Sequence, residues 1–222
     1  MNPIPEVDVH VSLTRRVFLL AYSPERRRLS SRERLGVTLQ AAALYELYAQ
    51  GLIRDHTGKV TATAVRGRAP DCDLAADLLA RITASERAHS WGYWVRKGER
   101  QATDRVGATL ERERVIRFEP HRLLGIVPTR RMLLRQPRLR AAATKAVRDA
   151  LKATRPVDRV PAVDAALVAL TYEGELRVVL GRRERRAARG RVDALEAGLG
   201  PVPEALRKAV RRQKSRAAGA AG

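Results

Sequence analysis

Arg96, Lys97, Arg100 and Arg105 crowd one short stretch, with Trp91, Tyr93 and Trp94 beside them. A guanidinium presents a rigid fork of donors that grips phosphate oxygens in two places at once, and an ammonium adds a point charge. Aromatic rings next to such cations suit the boundary between water and lipid headgroups. Two readings stay open: the group holds lipid phosphates, or it is a solvated face over a tryptophan core. A second cationic run, Arg182, Arg183, Arg185, Arg186, Arg189 and Arg191, is denser. Near an anionic lipid or nucleic-acid surface each such residue contributes about 1 kcal/mol; the plainer reading is again a solvated helix face. His10, His56, His89 and His121 are scattered, without pairing or i, i+4 spacing, and the single Cys72 has no Cys/His cluster around it. Neither a phosphate-binding glycine loop nor a dinucleotide fingerprint occurs. The chain reads as a non-enzyme, with no catalytic residue, metal or cofactor expected.

The composition points to a polyanionic partner. Lys and Arg number 44 against 24 acids, for a formal charge of +20 and a pI near 11.4. Such a charge attracts nucleic acid and anionic membranes alike. The 222 residues, 45% of them hydrophobic, suffice for a buried core. Aromatics are only 4%, so Leu, Val and Ala must fill that core, which favours helices. One cysteine excludes an internal disulfide and fits a reducing cytoplasm. The opening MNPIPEVDVHVS lacks the charged and apolar regions of a signal peptide. No run approaches the ~18 apolar residues of a membrane span. A membrane would therefore be met from one side, peripherally, at its cytoplasmic face.

The elements that must position these groups follow from periodicity. A helix is expected over Leu13 to Tyr22, then a loop through SPERRRLSSRER, then a strong helix over Leu35 to Gln50, with Leu39, Ala42, Ala43 and Leu47 at helical spacing. Gly51 is the stop. Leu52, Ile53 and Val60 to Val65 read as strands around the Thr57-Gly58 turn. Asp71 or Asp73 is expected to cap a helix to about Thr83. Thr103 to Glu113 reads as a helix, with Val115 to Phe118 and Leu123 to Val127 flanking the turn EPHR. Gln136 to Ala153 is a basic amphipathic helix, Val163 to Tyr172 an apolar one, and GEL leads into a β-like segment, Arg177 to Leu180. Residues 181–222 are helical and basic, ending in a Gly/Ala tail. "LYELYAQGLIR", "TLERERVIRF" and "LVALTYEGELRVV" repeat one design, a helix, a tight stop and an apolar β-like segment. The expected fold is mainly α, a single helical domain with short β-hairpins at helix ends. Its expected bounds are a leader at 1–10, the domain at 11–216 and a tail at 217–222.

The ordered series of segments resembles the Golgi phosphoprotein 3 family, in its smaller bacterial form, over roughly residues 11 to 218. "LTRRVFLLAYSPE" is similar to the family's opening leucine-rich helix. "LQAAALYELYAQGLI" matches its small-residue helix, with Ala41 to Ala43, Leu44, Glu46 and Leu47, followed by Gly51 and Ile53. A proline loop and helix (Ala69, Pro70, Asp73 to Ile82), a tryptophan segment (Trp94-Val95), "DRVGATLERERVI", a basic helix and "DAALVAL" continue in the family's order. The resemblance implies a non-catalytic adaptor that binds phosphatidylinositol 4-phosphate on membranes and also cytoplasmic tails of membrane proteins. It places the family's headgroup tryptophan at Ser31, an arginine at Gln40, and an arginine pair at Arg100 and Thr103; only Arg100 keeps the family's residue type. The family's hydrophobic hairpin is reduced to the stretch from Arg54 to Arg66. Binding to anionic phospholipid or phosphoinositide is thus expected to rest on charge, with weak headgroup selectivity. Arg96, Lys97, Arg100, Arg105 and Trp91 form the first candidate group, and Arg182, Arg183, Arg185 and Arg186 the second. The alternative is a basic winged-helix protein that binds nucleic acid, which needs a recognition helix with exposed basic residues. The helix Leu35 to Gln50 is almost uncharged after Leu35, so nucleic acid is the less favoured partner.

Overall fold

In the computed structural model, which describes residues 12–64, 69–70, 72–123 and 127–219, Ser12 starts the first helix, α1 (Leu13–Leu20). Its side chain accepts the Arg15 N–H at 3.3 Å and so satisfies one orphan donor of the first turn. The chain then forms a small antiparallel hairpin, β1 (Tyr22–Ser23) and β2 (Arg28–Leu29), which takes Tyr22 from the expected helix and otherwise lies in the stretch expected to be loop. α2 (Arg32–Ala49) begins earlier than its apolar pattern does, because its first turn is charged. Gly51 follows with φ +70°, a left-handed conformation that costs glycine little. The hairpin β3 (Ile53–His56) and β4 (Lys59–Ala62) comes next, and β5 (His89–Ser90) pairs with β4.

α3 (Asp73–Thr83) is capped by Cys72, whose Sγ accepts the Ala75 N–H at 3.4 Å. That corrects the expected aspartate cap. Asp73 lies one position inside the helix, and its carboxylate takes the Thr109 hydroxyl at 2.9 Å instead. Asp71 lies outside the described residues. α4 (Trp91–Arg96) and α5 (Glu99–Arg112) follow, so α5 also starts earlier than expected, at Glu99 rather than Thr103.

The longest hairpin joins β6 (Ile116–Leu123) to β7 (Val127–Leu134). The expected EPHR turn lies within β6, where Pro120 is paired opposite Arg130. Composition misleads here because a two-stranded ribbon has an open outer edge, and a residue without an N–H is tolerated there. α6 (Pro137–Leu151), α7 (Ala162–Glu173), α8 (Arg182–Glu196) and α9 (Val202–Gly219) complete the chain. The third β-like segment is also corrected. Residues 176–180 form turns, and Leu176, Val179 and Leu180 enter the core without a strand to pair with. The expected leader at 1–10 lies outside the described residues, as do 220–222, while α9 itself reaches Gly219.

The architecture is mainly α, one helical core with short antiparallel hairpins. α2 runs through its middle, every residue from Leu35 to Leu47 buried. A helix apolar or small all round needs cover on every side, and α1, α3, α4, α5, α7 and α9 all pack on it. A Cβ built at Gly36 would lie 2.1 Å from the Glu99 carbonyl oxygen, so the start of α5 rests directly on the α2 backbone. Arg16 ties α1 to α7 through Asp164 at 2.7 Å.

Candidate anion-binding site

Four local structures meet around a cavity of about 1200 Å³. The β1–β2 hairpin supplies Ser23, Arg26 and Arg28, the start of α2 supplies Ser31 and Arg32, and β6–β7 supplies Phe118, Arg130 and Met132. α5 closes the remaining wall with Thr103, Asp104 and Glu111. The hairpins are locked together: the Met132 N–H donates to the Arg27 carbonyl at 2.8 Å. At the apolar base, a Cβ at Gly107 would sit 3.3 Å from the Phe118 ring, so glycine lets β6 close on α5.

Four arginines, Arg26, Arg28, Arg32 and Arg130, face two acids in this lining. Asp104 lies 3.9 Å from Arg32, with side chains 81% and 71% exposed, which leaves the contact screened and weak. Glu111 is engaged by the Phe118 N–H at 2.9 Å. Arg26, Arg28 and Arg130 form no ion pair with any described residue. The cavity therefore offers cationic forks and hydroxyls around an apolar base. That is an arrangement for holding an anion, with no His or Cys among its described lining residues to move a proton.

None of the first sequence-chosen group lines this cavity. Trp91 is 3% exposed; its indole N–H donates to Asp55 and its ring meets Tyr48 edge-on at 5.5 Å. This corrects the expected interfacial Trp91: β3 gives its polar tip a partner, and the apolar body joins the core. Arg105 is paired with Asp77 at 2.5 Å, a carboxylate shared with Arg81 at 2.8 Å. Lys97 lies over the Tyr93 ring at 5.7 Å, and Tyr93 stacks on His89 at 4.0 Å. Arg96 is half-buried and Arg100 exposed, and like Lys97 they make no ion pair with a described residue. Of the aligned headgroup positions, Ser31 and Thr103 reach the cavity. Gln40 is buried beside Gly98 and Arg81.

The second group divides by helical phase. Arg182, Arg185, Arg186 and Arg189 line a cleft with Tyr172, Glu175 and Arg177. Arg183 is exposed outside that lining. Arg191 is structural: it donates to the carbonyls of Ala150 at 3.0 Å and Arg155 at 2.6 Å, which pins α8 to the end of α6.

Sequence reasoning missed Arg26, Arg28, Arg32 and Arg130. The signal was the dense charge of SPERRRLSSRER, but its meeting with Arg130 depends on the long-range contact between β2 and β7. Among the described residues, no helix is long and apolar enough to cross a membrane. No group of three or more His, Cys, Asp or Glu there is placed to hold a metal ion. Among curated proteins, none matches the chain. The family model described as Golgi phosphoprotein 3 (GPP34) matches residues 13–213.

Proposed function

The chain belongs to the Golgi phosphoprotein 3 family, and from that premise we propose that it is a non-catalytic peripheral adaptor that binds anionic phospholipid at the cytoplasmic face of a membrane. The observation that carries this reading is the placement of Ser31 and Thr103, two aligned headgroup positions, in the wall of a cavity with four arginines. Where this sequence lacks the family's arginines, at Gln40 and Thr103, Arg26, Arg28, Arg32 and Arg130 bring charge from other positions. A lipid phosphate enters the cavity, and Arg96, Lys97 and Arg100 add a charged surface. Recognition resting on charge gives weak selectivity between phosphatidylinositol 4-phosphate and other anionic lipids. Cytoplasmic tails of membrane proteins are the second class of partner. Nucleic acid is disfavoured because α2, the element a winged-helix reading needs as its recognition helix, is buried from Leu35 to Leu47.

Co-sedimentation with phosphatidylcholine vesicles carrying phosphatidylserine or phosphatidylinositol 4-phosphate tests this, over a salt series and with duplex DNA as competitor. Screening acts within about 8 Å at physiological salt, so the bound fraction should fall steeply as salt rises. Arg28→Gln with Arg130→Gln should reduce binding several-fold at unchanged melting temperature. Neutralising Arg96, Lys97 and Arg100 should reduce it less. No vesicle binding at low salt together with tight DNA binding would overturn the reading.

A further inference from the structure

A second arginine-lined feature shares no lining residue with the cavity. It is a cleft of about 430 Å³ where the turns after α7 meet the first turns of α8, lined by Tyr172, Glu175, Arg177, Arg182, Arg185 and Arg186. Arg189 extends it by a helical turn, since positions i, i+3, i+4 and i+7 share one face.

The cleft is held in place. Arg185 donates to the Tyr172 carbonyl, and its guanidinium lies over the Tyr172 ring, 4.1 Å from the centroid. Stacking and a carbonyl anchor fix a guanidinium before any ligand arrives. Glu175, the cleft's acid, is already committed. It pairs with Arg34 at 2.9 Å and with Lys214, neither of which lines the cleft, while Arg177 stands off at 4.0 Å. Glu175 also holds φ +51°, a left-handed backbone unusual for a residue with a Cβ, and its N–H donates to the Tyr172 carbonyl at 3.0 Å. The remaining contact, Arg189 to Asp193 at 3.9 Å, joins side chains 77% and 57% exposed and neutralises little. Arg182 and Arg186 form no ion pair with a described residue. The Gly181 N–H at the head of α8 is taken by Glu184 at 2.7 Å. The site therefore rests on the guanidinium forks.

We propose that this cleft is a second anion site that takes a phosphate-bearing ligand, a phosphomonoester or diphosphate group. Tetrahedral phosphate oxygens match paired guanidinium forks, and the volume lies within the range of small-ligand pockets. The group can arrive on a lipid headgroup or as a soluble phosphate.

The test uses the full chain carrying Arg28→Gln and Arg130→Gln, so that the larger cavity does not contribute. One arm titrates inorganic pyrophosphate by calorimetry at low salt. The other measures binding to phosphatidylcholine vesicles with and without phosphatidic acid. Adding Arg182→Gln and Arg186→Gln should weaken at least one of these by about tenfold with no change in melting temperature. Loss in the pyrophosphate arm alone identifies a soluble phosphate, and loss in the vesicle arm a lipid headgroup. Tyr172→Leu, which removes the ring under Arg185, should weaken the same arm. Arg183→Gln with Arg211→Gln removes equal charge outside the cleft. An equal loss in that control, or no loss in the cleft variants, overturns the proposal. The membrane reading stands or falls separately, on the effect of Arg28→Gln and Arg130→Gln alone.

Discussion

The Glu46 carboxylate accepts the Thr14 N–H at 2.9 Å and the Thr14 hydroxyl at 3.0 Å, so α2 supplies an acceptor for the first turn of α1. A negative charge there satisfies orphan donors and complements the helix dipole. The Cys72 thiol lies 3.5 Å from the same carboxylate. Burial first, and the Glu46 charge second, push its pKa up to about 12. A thiol that stays protonated is a poor nucleophile, so Cys72 should react with a thiol reagent only as fast as the fold opens; rapid labelling of native protein would contradict this burial. The raised pKa of a second acid, the half-buried Glu196, has a consequence for stability. Burial, and then the nearby Glu173 carboxylate, push its pKa up to about 7, even with Arg207 at 2.5 Å. The folded state thus binds a proton that the unfolded state has released, from the ordinary 4.5 up to about 7. Stability gained from this group is present at low pH and lost as pH rises through 7. Glu196→Gln should remove that slope while Arg207 keeps Glu173 at 3.0 Å. Melting curves of both proteins between pH 5 and pH 8 check it, and parallel profiles would exclude Glu196 as the source. The same neighbourhood effects explain what was illegible residue by residue. Density of charge picks out Arg105 and Arg191 in the sequence, but Asp77 and two backbone carbonyls decide that both are structural.

At the scale of elements, α2 sets the tolerances. Ala42 and Ala43 are fully buried among neighbouring helices. Ala43→Leu should overpack that contact and cost roughly 1–3 kcal/mol, read from chemical denaturation. Gly36→Ala should cost at least as much. The atom its Cβ would meet at 2.1 Å is the Glu99 backbone carbonyl, which cannot rotate away as a side chain can. An unchanged midpoint for both variants would mean that neither helix pairing is tight. α2 was legible because its apolar and small residues fill every face over many turns. The short hairpins were less so. Arg27 has φ +47° and pairs by its carbonyl with Met132, a contact that no local pattern encodes. Pro120 carries a turn signal in its own neighbourhood, and only pairing with the Arg130 strand overrides it. The candidate site inherits that blindness, since its arginines converge only when β2 docks on β7.

Over the whole molecule, a charge of +20 acts in two directions. Like charges repel within the folded chain and attract an anionic surface outside it. Raising salt should therefore raise the melting temperature while lowering vesicle binding, and both can be followed in one buffer series. If stability fell with salt, the attractive ion pairs would outweigh the repulsion. Net charge was readable from composition and named a class of partner; where it gathers was not, because the cavity brings Arg130 from far along the chain to Arg26, Arg28 and Arg32. The central position of α2 also governs how the chain can be made. α2 is synthesised early, yet α9, which packs against it, begins only at Val202, after α3 to α8. At 5–20 residues per second that interval is roughly 10–30 s on the ribosome. Throughout it one side of a helix that the finished fold buries from Leu35 to Leu47 has no native cover, so that face is open to wrong partners until α9 is made.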